Sequence, residues 1–91
     1  MQSKNKPAPT AAERRHIERL AGLPCCVCGA DGPVEVHEPE QGLWFAAVPL
    51  CATCHRHPVY GWHGARANWK AAKVGEIEAL AATVRMLMEE A

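Results

Sequence analysis

The chain has no apolar run approaching the ~20 residues that a membrane-spanning helix needs, which argues against an integral membrane protein. It also lacks a signal-like apolar stretch near Met1; residues 1–9 are polar, carry lysines and prolines, and offer nothing to bury. A flexible tail over 1–9 and a single domain over 10–91 are expected, in a reducing cytoplasm where cysteines stay as thiols. Net charge is absent too, with ten basic against ten acidic residues. Finally, 91 residues leave little room for a core, so a chain of this size often needs a metal, disulfides or a partner to stabilise it.

The charge that cancels overall is unevenly placed. From Cys54 to Gly75 the chain carries Arg56, Arg66, Lys70 and Lys73 with no acid, together with three histidines, while the last sixteen residues hold four glutamates against Arg85. Arg66, Lys70 and Lys73 recur at helical spacing and would form one basic stripe suited to a phosphate backbone, with Arg56 a further candidate contact to nucleic acid. A solvated helix face is the plainer alternative.

Thr10 and Glu13 form a capping-box pattern before Ile17, Leu20 and Ala21, which predicts a helix over 11–21 stopping at Gly22. Val34-Glu35-Val36 reads as a short strand ending at His37, and a second strand is expected through Leu43 to Val48. A short helix should open at Cys51 and fail near Pro58. Helices are expected from Ala65 to Val74 and from Glu76 to about Glu89, the last with Ile77, Leu80, Ala81, Val84, Leu87 and Met88 as its apolar face. Met86, Leu87 and Met88 could extend an apolar surface towards a protein partner or a second copy. Trp62 and Trp69 suit core filling better than base stacking.

The strongest chemical signal is Cys25-x2-Cys28, then 22 residues, then Cys51-x2-Cys54. Two thiolate pairs on separated turns can complete a tetrahedron around a structural zinc. A redox pair, or cysteines buried as small hydrophobes, are the competing readings, and Cys26 could replace Cys25 in a C-x-C arrangement.

A knuckle, a strand ending in His37, a second strand and then Val48-Pro49-Leu50-Cys51-Ala52-Thr53-Cys54-His55 resemble the HNH, or ββα-metal (His-Me finger), nucleases over about residues 23–64. The resemblance is closest to small phage-associated variants related to the Ref recombination nuclease. It implies an α+β fold: a small zinc-bound ββα finger flanked by an N-terminal helix and C-terminal helices, in a bacterial or phage-infected cell. It also implies metal-dependent hydrolysis of DNA phosphodiesters by an endonuclease or nickase. His37 falls on the first position of the strand motif, and Glu38 stands where the family commonly places its histidine base. Either residue could then be the base, or the enzyme is impaired and acts as a DNA-binding module. The family's asparagine has no equivalent in Phe45-Ala46-Ala47-Val48. His55 fits a ligand position for a second divalent ion (Mg, Mn, Ni or Zn), and His63 is the candidate second ligand, with His57 in competition.

Overall fold

A computed structural model describes residues 8–64, 69 and 75–90. The Ala65–Val74 helix expected from sequence, and with it Arg66, Lys70 and Lys73, therefore lies outside the described residues except for Trp69, which is helical.

The first helix, α1, spans Ala11–Ala21. Its start is fixed as the sequence foretells: Thr10 Oγ1 accepts from the Glu13 N–H at 3.1 Å, and Glu13 Oε1 accepts from the Thr10 N–H at 2.8 Å. This reciprocal cap satisfies two backbone donors that the helix cannot. Leu20, at its inner end, packs with Leu23 and Ala47 in a small core on which Val36, Met86 and Leu87 close.

Two strands, β1 (Glu35–His37) and β2 (Val48–Leu50), pair antiparallel with His37 opposite Val48 and Glu35 opposite Leu50. The expected second strand over Leu43–Val48 is corrected here, because Trp44–Ala46 forms a single 3-10 turn and the strand begins at Val48. The reason lies across the ladder. β1 is bracketed by Pro33 and Pro39, neither of which has an N–H to donate, so only three residues can be matched. The intervening chain instead closes by successive turns, with Leu43 N–H on Glu40 O, Ala46 N–H on Leu43 O and Ala47 N–H on Trp44 O. Pro49, opposite Val36, is buried and directs its carbonyl outward to the Cys26 N–H at 2.9 Å.

A short helix, α2, spans Ala52–Arg56 and ends at His57, before Pro58. The last helix, α3, spans Glu76–Glu90 and lies against β2. Its inner face differs from the apolar stripe read in the sequence. Gly75, Ala79 and Thr83 are buried, Leu80, Met86 and Leu87 are half-buried, and Ile77, Ala81, Val84 and Met88 face solvent. Small residues at i, i+4 and i+8 let the helix approach closely, with Leu80 packed against the cluster that holds Trp62 and Trp69 while Ile77, Val84 and Met88 are turned outward. Both tryptophans are core, packed edge to face at 5.5 Å with Cys25, Val48, Leu50 and Ala79. The Trp69 indole donates to Tyr60 O at 3.0 Å.

Candidate metal centres

Four cysteines come together as their spacing anticipates. The ligand atoms of Cys25, Cys28, Cys51 and Cys54 all lie within 4.8 Å of one another, compatible with a structural metal ion such as zinc. The first pair sits on a tight turn in which the Gly29 N–H returns to Cys25 O and the Cys25 N–H reaches Ala30 O. Gly29 has φ of +76°, a conformation that costs a residue with Cβ. The second pair straddles the start of α2, where Cys51 is the N-cap and its Sγ accepts from the Cys54 N–H at 3.5 Å. Sulfur to sulfur, Cys28 and Cys51 stand 3.7 Å apart.

The surroundings favour thiolate at Cys25. Burial pushes that thiol up, but backbone contacts with Cys28, Cys51 and Val27 outweigh it and bring it down to about 7. Cys26 is not part of the group; burial raises its thiol to about 11, against a hydrogen bond with Thr83. The alternative in which Cys26 replaces Cys25 is thereby disfavoured.

A second cluster forms a short distance along the chain. His37 Nδ1 lies 3.2 Å from His55 Nε2, and His63 Nε2 lies 3.0 Å from the same atom. These three nitrogens come from the end of β1, from α2 and from the loop after it, and they could hold a metal ion. The loop is folded back by backbone bonds from Trp62 N–H to Cys54 O and from His63 N–H to His55 O. Gly61 is needed for this return, because an added Cβ there would collide with the backbone of His57 and Thr53.

Behind the cluster stands a carboxylate. Glu35 Oε1 is 2.7 Å from His55 Nδ1, and the Arg56 guanidinium grips the same carboxylate, with Nη2 to Oε2 at 2.6 Å. These partners, Arg56 first, hold the Glu35 carboxyl down to about 2 from an ordinary 4.5. An ionised carboxylate can only accept, so His55 Nδ1 is the donor, and in the neutral imidazole that tautomer leaves the lone pair on Nε2. His37 is buried, which holds its imidazole below the usual range; Glu76 opposes that shift, and the charges of His55 and His63 add to it. Its Nε2 faces Glu76 Oε2 at 3.5 Å.

The other residues singled out in the sequence are placed elsewhere. Glu38, next to His37, takes the Gly42 N–H on Oε1 at 2.9 Å and so ties off the loop between the strands, outside both clusters. His57 is also outside: its Nδ1 accepts from the backbone N–H groups of Val59 and Tyr60, which leaves His63 as the histidine that joins His55. Arg56, expected to meet nucleic acid, is engaged by Glu35, although its side chain remains largely exposed. Glu35 and Glu76 were missed as site residues; the alternation of Glu35 with His37 on one strand face was the available signal for the first.

The chain matches no family model, no curated protein and no solved structure.

Proposed function

We propose that the chain is a metal-dependent DNA endonuclease or nickase of the HNH type. One observation supports this above the others: His37, His55 and His63 converge at a strand-strand-helix junction with an ionised carboxylate behind His55. Two nitrogens bound tetrahedrally to one ion at about 2.0–2.1 Å would stand about 3.3 Å apart. The separations of 3.2 and 3.0 Å about His55 Nε2 fit that requirement. A carboxylate donating orientation to a ligating imidazole is a recurrent partner of catalytic metals.

In this reading the three histidines hold a divalent ion separate from the cysteine-bound zinc, and His37 serves as a ligand in place of the base role. The ion would supply Lewis acidity towards a phosphodiester and stabilise charge on its leaving oxygen. Glu35 fixes the tautomer of His55, Arg56 fixes Glu35, and Glu76 faces the outer nitrogen of His37. With His37 taken as a ligand, Glu38 is left as the candidate base, although its Oε1 accepts from the Gly42 N–H outside the cluster. Its use in closing the strand loop favours one alternative, an HNH-derived module that binds DNA without cutting it.

Incubating zinc-loaded protein with supercoiled plasmid in magnesium, manganese, nickel, zinc or EDTA separates the two. The nuclease reading expects metal-dependent nicking that His55→Ala abolishes while the cysteine-bound zinc and the fold persist. Folded protein that nicks in none of these metals yet binds DNA in a salt-dependent way would establish the module instead.

A further inference from the structure

The outward face of α3 carries an apolar stripe that the fold does not cover. Ile77 is 75% exposed, Val84 46% and Met88 71%, with Ala81 exposed between them. The positions advance by 4, 3 and 4 residues, the period of a seam between two packed helices. We propose that this stripe is the interface of a homodimer, in which α3 pairs antiparallel with α3 of a second copy.

The spacing is self-complementary in that orientation. Rotating one helix about a two-fold axis through the middle of the stripe sets Ile77 opposite Met88 of the second copy and Ala81 opposite Val84, and the same contacts recur by symmetry. Large residues meet at both ends and small meets medium in the centre, so the two helices approach most closely at the Ala81–Val84 layer.

Charge selects the same arrangement. Glu78 and Arg85 are exposed on one flank of the stripe, and neither makes an ion pair with another described residue. In the antiparallel pair Glu78 of each copy faces Arg85 of the other, giving two opposite-charge contacts. A parallel pair would instead place the Glu78 and Arg85 flanks of the two copies on opposite sides of the seam, facing Leu80 and Leu87, and would forgo both contacts. Glu76 lies on the opposite flank, and Glu89, one turn beyond Arg85, shares the flank of Glu78 but projects farther from the seam than Arg85 does.

Fifteen residues of helix span about 22 Å, so the contact belongs to the small class of interfaces and the dimer should be weak, with a micromolar dissociation constant. It makes no use of the histidine cluster and stands apart from the nuclease reading. Sedimentation velocity of the zinc-loaded full chain from about 1 µM to about 1 mM is the test. Concentration-dependent dimerisation is expected. Ala81→Glu, at a position exposed in the monomer, should weaken it about 100-fold with helix content unchanged by circular dichroism. Arg85→Glu should weaken it about 10-fold, and adding Glu78→Arg to that variant should restore it. A monomer throughout the range, or an Ala81→Glu variant that dimerises like the wild type, would overturn the proposal. Failure of the double charge swap to recover what the single swap lost would overturn the antiparallel register.

Discussion

The cysteine cluster and the histidine cluster share α2 yet are built in opposite ways. Each cysteine pair sits on its own local turn, and the ligand atoms are aimed by backbone hydrogen bonds within a few residues. The histidines come from three separate places: a backbone return brings in His63, while side chains orient the other two, Glu35 held by Arg56 at His55 and Glu76 from the start of α3 at His37. A group organised by local turns can survive repacking of its surroundings. One organised by distant side chains is correct only when the whole fold is. The first arrangement suits a structural ion; the second, with His63 on the exposed side, suits the approachable ion that the proposed function would place there.

That contrast can be broken most severely at Cys51, which contributes to the sulfur group and also caps α2. Metal binding by thiolates in small domains contributes on the order of 10 kcal/mol, so Cys51→Ala should abolish cooperative unfolding by circular dichroism and take the histidine site with it. The reverse should not hold, because His55→Ala is expected to leave the melt of the zinc-loaded protein intact. A smaller effect is expected from Glu35→Gln, which should weaken divalent-ion binding at the histidines about 10- to 100-fold in a competition titration without touching the cysteine-bound metal. The same carboxylate gives the comparison a pH dependence. Its folded value is depressed to about 2, so its stabilising contacts are fully present above the ordinary carboxylate range and are lost as pH falls towards 2. Glu35→Gln should flatten that acid limb in a series of melts. The smallest effect is Thr10→Ala, which removes half of the α1 cap; a loss of about 1 kcal/mol with both metal affinities unchanged would place α1 outside the two centres.

How much of this was legible in the sequence follows the same division. The capping box and the two cysteine pairs are local patterns, and α1 and the sulfur group stand where those patterns put them. His37, His55 and His63 could be singled out as residues, but no spacing could reveal that His37 turns towards the other two, since that depends on the register of β1 with β2. The second strand was misread because Trp44 and Phe45 have strong strand character, while the length available to a strand was set by the prolines around its partner. The apolar face of α3 was misread for a related reason. Periodicity marks every large hydrophobe as inward, whereas Ala79 and Leu80 are the α3 residues that pack against the Trp62 and Trp69 cluster and Ile77, Val84 and Met88 are exposed.

Pro49 has a consequence for how this protein behaves in a crowded solution. A two-stranded sheet ordinarily leaves two rows of donors and acceptors on which a foreign chain can add, and such templating begins many aggregates. On the β2 side Pro49 has no N–H to offer, and its carbonyl is already taken by Cys26 in the first knuckle. The turn that gathers the cysteines thus also seals that edge of the sheet, so that β2 cannot accept a third strand without first giving up the knuckle.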